Sequence, residues 1–205
     1  MTRWLLRAAL AAALAVGLSG CVTLLPKSKP AHLYTFGIEA AAQKAQPPAG
    51  TAGVFWANGE FQREAAGDQI LTITGDHAAY IAQTRWVAPA QVLFDQAVQA
   101  AFEGPASRVR LVPRGAPAPT DFTLRVDVRA FETRYEAGPK AAPTVLIRIH
   151  ASLTREHQRT LVAEQVFEAR APASDNRVSA IVRAYDKALG EVLGQLVDWT
   201  DARTG

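Results

Sequence analysis

Chemistry in a protein starts with a few side chains, and here the shortest supply is sulfur. Cys21 is the lone cysteine of 205 residues. A single thiol excludes an internal disulfide framework and any cysteine-rich zinc or iron–sulfur cluster. It can still act as a thiolate nucleophile or take up a covalent group. The four histidines, His32, His77, His150 and His157, have no close metal-ligand spacing. His150 and His157 fall on neighbouring strands or their turn and read as surface residues. Asp121, Asp127, Glu132 and Glu136 alternate with arginines, the pattern of a solvated strand face rather than of a catalytic carboxylate pair. There is no Gly-x-Ser-x-Gly to signal a nucleophile elbow and no glycine-rich phosphate loop ending in lysine. The residues therefore predict a protein that is no enzyme and holds no metal or cofactor.

The surroundings of Cys21 say what it is for. Arg3 and Arg7 open an apolar run from Ala8 to Leu18, and Leu18-Ser19-Gly20-Cys21 closes it. A positive start, an apolar stretch and small residues make a secretory signal. The ending resembles the bacterial lipobox, which implies cleavage before Cys21 and lipid, palmitate included, on that residue. The competing reading is an uncleaved membrane helix. Ala8–Leu25 has 18 residues, the lower limit for spanning, but is rich in Ala and broken by Gly17, Ser19 and Gly20. Residues 1–20 are thus expected to be a discarded signal peptide, and several acyl chains would anchor firmly where one holds only marginally.

That reading changes the charge. The chain carries a formal +3 with a pI near 9.2. Loss of residues 1–20 removes Arg3 and Arg7 and no acidic residue, which leaves 185 residues and a charge of +1. No cluster of lysine and arginine with interleaved aromatics survives, so nucleic acid is not an expected partner. Residues 21–31, with Pro26 and Pro30, read as an extended tether. Its reach is at most roughly 35 Å. Residues 32–205 read as one domain. With 49% hydrophobic and 20% charged residues, the composition is that of an ordinary globular domain.

The elements come next. Strands are predicted at Leu33–Ile38, Ala52–Ala57, Ile70–Thr74 and Ala78–Gln83, the last two around a tight turn at Gly75-Asp76-His77, with a loop at Ala40–Gly50. Phe122, Leu124, Val126, Val128 and Ala130 alternate with polar residues without interruption, and so do Val145, Ile147, Ile149, Ala151 and Leu153. Thr160–Ala169 is a further strand, and residues 155–159 are its hairpin tip. Pro89 suits the first turn of a helix ending at Phe102, where Gly104-Pro105 stops it. A second helix opens after Ser174-Asp175 and runs to about Trp199, with Ile181, Tyr185, Leu189, Val192 and Leu196 on one face and Arg183, Lys187, Glu191 and Asp198 opposite. The expected fold class is α+β: two layers, an antiparallel or mixed sheet with two main helices packed on one face.

Two features sit apart. Gly190 and Gly194 lie on the polar side of the last helix, where each costs about 1 kcal/mol relative to alanine. Either the cost is tolerated or a partner subunit approaches closely there. Trp86, followed by Pro89, joins what reads as an edge strand to the first helix and suits a large buried ring that staples the two.

Together these residues carry a family resemblance. The stretch from Tyr80 through Trp86 to Pro89, the lipobox, the short Leu33-Tyr34-Thr35-Phe36 strand, the run Leu124-x-Val126-x-Val128-x-x-Phe131-Glu132 and a strand with Phe167 before a final amphipathic helix occur in one order. The chain resembles the ABC-type transport auxiliary lipoprotein component family over nearly its whole mature length. The pair Val87-Ala88 departs from the pattern, which has an acidic residue there. The resemblance implies a non-enzymatic subunit that accompanies an ABC transporter permease and ATPase with an MCE-domain protein, carriers of lipid between membranes. It also implies anchoring on the periplasmic face of the outer membrane, to which Val22 after the cysteine points, and allows a homo-oligomer. The other expectation is a structural lipoprotein of a different envelope assembly, similar in layers to the lipopolysaccharide-insertion lipoprotein or to the amino-terminal domain of TolB. A lipid-anchored hydrolase is the third.

Overall fold

The computed structural model describes residues 30–37, 52–104 and 107–205. Cys21, the signal peptide, most of the tether and the predicted Ala40–Gly50 loop lie outside the described residues. Ala31–Gly205 makes one compact unit, separate from Met1–Pro30.

In chain order that unit has β1 (His32–Tyr34), β2 (Gly53–Phe61), β3 (Gln69–Thr74), β4 (His77–Trp86), α1 (Ala90–Phe102), β5 (Arg110–Val112), β6 (Phe122–Arg134), β7 (Thr144–Arg155), β8 (Thr160–Pro172) and α2 (Val178–Thr204). The eight strands form one mixed sheet with both helices on one face, an α+β fold. Its backbone is β6. One edge of β6 pairs antiparallel with β7 from Phe122↔Arg155 to Arg134↔Thr144, and β7 pairs with β8. The other edge is shared: β2 runs parallel to its first half and β3 parallel to its last residues, at Thr72↔Thr133 and Ile73↔Arg134. The sheet thus forks. One branch continues from β2 to β5, the other from β3 through β4 to β1.

The core lies between sheet and helices. Leu124, Val126 and Val128 of β6, Val145, Ile147 and Ile149 of β7, and Phe167, Ala169 and Ala171 of β8 turn inward. They meet Ile181, Tyr185, Leu189, Val192 and Leu196 of α2, all of them buried. Period-two burial on one sheet face against a 3.6-period stripe is the pairing expected of a two-layer fold. Gly37 is wedged between the helices. A Cβ there would sit 2.9 Å from Ala97 Cβ, its φ is +78°, and its N–H donates to Asp186 Oδ1 at 2.9 Å. Only glycine meets both the close approach and the left-handed backbone.

Several boundaries differ from the sequence reading. β1 stops at Tyr34 because Gly37 turns the chain. β4 is no edge strand at its end, since β1 covers Thr84–Trp86. β6, β7 and β8 each run longer than the alternation suggested. The three-residue β5 had no sequence signal. Ser174-Asp175 does not cap α2: the cap position is Arg177, and Asp175 Oδ1 instead accepts the Arg177 N–H at 2.8 Å while its carboxylate grips the guanidinium. α2 also passes Trp199 to reach Thr204, and there Asp201 Oδ2 accepts the Arg108 N–H at 2.8 Å.

Candidate functional site

The motif residues converge at the fork. Trp86 is 2% exposed and meets Phe36 edge-on at 4.8 Å and Tyr185 of α2 at 5.2 Å. Phe131 packs against Phe36, Phe61 and Tyr185 at 5.2, 5.5 and 4.9 Å. Edge-on and tilted arrangements at these separations add stabilisation beyond burial. The Tyr185 hydroxyl bonds Thr133 Oγ1 at 3.2 Å, and burial pushes its pKa up. Trp86 therefore ties the β4 end to α2. Pro89 is the residue before α1: its carbonyl accepts the N–H groups of Val92 and Leu93. The carbonyls of Gly67 and Ala66 take those of Ala90 and Gln91, so the first turn of α1 is satisfied by a neighbouring turn without a capping side chain.

Two β-bulges set the geometry. Val128 pairs with Ile149 but Ala130 pairs with Arg148, so Arg129 is an extra residue in β6. Past it the inward positions change from even to odd numbers, which sends Phe131 into the core and Glu132 to the other face. β2 has a matching irregularity between Asn58 and Phe61. There a Cβ on Gly59 would lie 2.0 Å from the Val126 carbonyl oxygen, and Asp127 Oδ1 accepts the Glu60 N–H at 2.8 Å.

Glu132 was expected on a solvated face, yet it is 4% exposed. The reason is the gap in the fork. Beyond Val128, β6 has lost β2 and not yet met β3. Gln62 fills the space: its backbone N–H donates to the Val128 carbonyl, its Oε1 accepts the Phe131 N–H at 2.8 Å, and its Nε2 donates to Glu132 Oε2 at 2.9 Å. Arg134 completes the set on Glu132 Oε1 at 2.7–2.8 Å. One side chain thus stands in for a missing strand residue, and a buried carboxylate has its oxygens satisfied. The spacing Val128-x-x-Phe131 was the only sequence signal of this.

The face away from the helices is a charged ladder. Arg125 pairs with Asp127 at 3.0 Å, Arg148 with Glu168 at 2.6 Å, and Arg170 with Glu136. His150 is not a free surface residue: it lies between Asp127 at 3.9 Å and Glu164 at 3.7 Å. Such half-exposed pairs contribute little to stability. The ladder ends at β8, which pairs with β7 and with no other described strand, and which exposes Leu161, Val162 and Val166. At the fork opens a polar cleft of about 580 Å³ whose lining includes Glu60, Gln62, Arg63, Gln91, Asp127 and Arg129. Beside it Asn58 Nδ2 donates to Asp95 Oδ2 at 2.7 Å, and burial raises the Asp95 pKa to about 6. No local pattern marked this cleft, whose residues lie up to 70 positions apart. Among the described residues no His, Cys, Asp and Glu cluster could hold a metal ion, and no helix is long and apolar enough to cross a membrane.

The family model described as ABC-type transport auxiliary lipoprotein component matches residues 34–197. No curated protein matches the chain. Among solved structures, protein XCC0632 from Xanthomonas campestris, carrying the family-model label DUF330, is similar with a TM-score of 0.69 and 23% identity, over 84% of this chain and 96% of that one. An uncharacterized protein gives 0.63 at 15% identity, over 84% and 99%. The hypothetical protein CT253 from Chlamydia trachomatis gives 0.52 at 8% identity, over 75% and 98%. At these identities the likeness is one of fold.

Proposed function

The chain belongs to the ABC-type transport auxiliary lipoprotein component family, and from that premise we propose that it is a non-enzymatic subunit that docks a periplasmic MCE assembly of an ABC lipid transporter at the outer membrane. Cys21 is the lipidated residue and residues 22–31 the tether. The observation that carries the docking role is β8: a thirteen-residue strand whose outer edge is open among the described strands, with Leu161, Val162 and Val166 exposed at the end of a charged ladder. An open edge can take a partner's strand by main-chain hydrogen bonding, and apolar side chains beside it supply burial. Trp86, Pro89, Phe131 and Glu132 act from within, by holding the fork together.

The test is crosslinking of the full-length protein in its native membranes, with a photoreactive residue at position 166 and a control at Arg183 on the exposed side of α2. Capture of an MCE-domain protein from position 166 alone supports the reading. Capture of an outer-membrane barrel protein instead would favour the other envelope-assembly reading, and equal capture from both positions would remove β8 as the docking edge. Cys21→Ser is expected to release the protein from the outer membrane fraction.

A further inference from the structure

The cleft at the fork carries positive charge that no ion pair among the described residues answers. Along the ladder Arg125, Arg148 and Arg170 all have a carboxylate within reach, as Arg85 has Asp68 and Arg134 has Glu132. Arg63 and Arg129 line the cleft, and neither has an ion pair or hydrogen bond from its guanidinium among the described residues. Of the two carboxylates there, Asp127 is taken by Arg125 and by the Glu60 N–H. That leaves Glu60 against two arginines, with the Gln91 side chain from α1 as a further hydrogen-bonding group on the wall.

Both arginines are set by the backbone rather than left on a loose loop. Arg129 is the extra residue of the β6 bulge, a device that re-aims a side chain. Arg63 follows Gln62, which is pinned at its own N–H and at both ends of its side chain. Both side chains are exposed, and two guanidinium groups brought into one cleft repel each other, a repulsion that an anion between them would relieve. A carboxylate presents two oxygens in one plane and is satisfied by a single arginine fork. Two forks and an amide suit a group with oxygens in more than one plane, which is a phosphate. The volume is in the range of small-ligand sites.

We propose that this cleft, between Arg63 on the turn after β2 and Arg129 on the β6 bulge, is a binding site for a phosphate group, either free or carried by a lipid headgroup.

The experiment is calorimetric titration of the full-length protein in a neutral detergent with three probes: inorganic phosphate, a short-chain phosphatidylglycerol below its micelle point, and acetate. The expected result is saturable binding of at least one phosphate probe. Arg63→Gln and Arg129→Gln should each weaken it roughly tenfold, and Arg114→Gln, an exposed arginine outside the cleft, should leave it unchanged. Saturation by the lipid probe alone assigns the headgroup as source, and saturation by inorganic phosphate alone assigns the free anion. No saturable binding, acetate binding as tight as phosphate, or equal weakening by Arg114→Gln would overturn the site. Should a glutamine variant fail to fold, Arg129→Lys keeps the charge and removes the fork, and unchanged phosphate binding in it would overturn the proposal as well.

Discussion

The two long edges of β6 are built by opposite means. Toward β7 it is paired from Phe122 to Arg134, broken only by the bulge at Arg129, with an ion-paired face above and an apolar face below. Toward β2 and β3 it is paired from Phe122 to Val128 and again at Thr133 and Arg134, and the stretch between is held by one glutamine, one buried carboxylate and a packed group of aromatic rings. Repetition makes the first edge tolerant, since every residue contributes a little. The second edge depends on a few groups, each with several duties: Phe36, Trp86, Phe131 and Glu132 belong to the family motif, whereas Gln62, Phe61 and Tyr185 do not.

The largest effect expected from breaking this contrast is at Phe131. Phe131→Ala removes a ring that touches three others and should cost about 3–5 kcal/mol, read as the denaturation midpoint in urea. Gln62→Ala strips the Phe131 N–H and Glu132 of a partner at once. It should cost about 2 kcal/mol, because buried groups are left unpaired. A loss close to zero there would mean that the gap in the fork is not held as described.

On the other side of the molecule α2 covers β7 and β8 and turns Gly194 outward. A Cβ at Gly194 meets nothing within 4 Å. Gly194→Ala should therefore raise stability by about 1 kcal/mol. If it also weakens capture of a partner, the close-approach reading of Gly190 and Gly194 gains its support; otherwise the glycines are a tolerated cost.

Asp95 gives a pH dependence of unusual sign. Burial holds its pKa at about 6, above its ordinary 3.8, so the folded chain keeps a proton that the unfolded chain has released. Its contribution is favourable below about pH 4 and is lost as pH rises through about 6. Asp95→Asn, which keeps an acceptor for Asn58, should flatten that slope. The gain at neutral pH should be under about 1 kcal/mol, since the group is only half buried. The smallest effect belongs to the regular edge: Arg148→Ala should change stability by less than about 1 kcal/mol.

The regular side of the molecule was the legible one. Alternation in β6 and β7 and the apolar stripe of α2 are periodic signals, and they identified the layers and, up to the bulge at Arg129, which turns Ala130 to the other face, the faces as well. The fork was not legible, because its parts are distant in sequence. Gln62 gives no sign that it will bond residue 131. Val128-x-x-Phe131 breaks the alternation at the bulge, and only that break separates the fate of Glu132 from that of Asp127. β5, at three residues, is shorter than any periodic signal. The cleft joins residues from β2, α1 and β6, and of these only Val128 is a defined position of the motif, with Asp127 and Arg129 at its variable positions. The expectation for Cys21 rests on a contiguous run of residues, which needs no fold to assemble it, and Cys21 lies outside the described residues.

The order of strands in the sheet also sets an order in time. The β6–β7–β8 meander is closed by neighbouring turns, whereas the pairings of β1 with β4, of β2 with β5 and β6, and of β3 with β6 join segments tens of residues apart. Local hairpins form before long loops can close. The carboxy-terminal half should therefore assemble first and offer the bare edge of β6 as a template, on which β2 and β3 settle last.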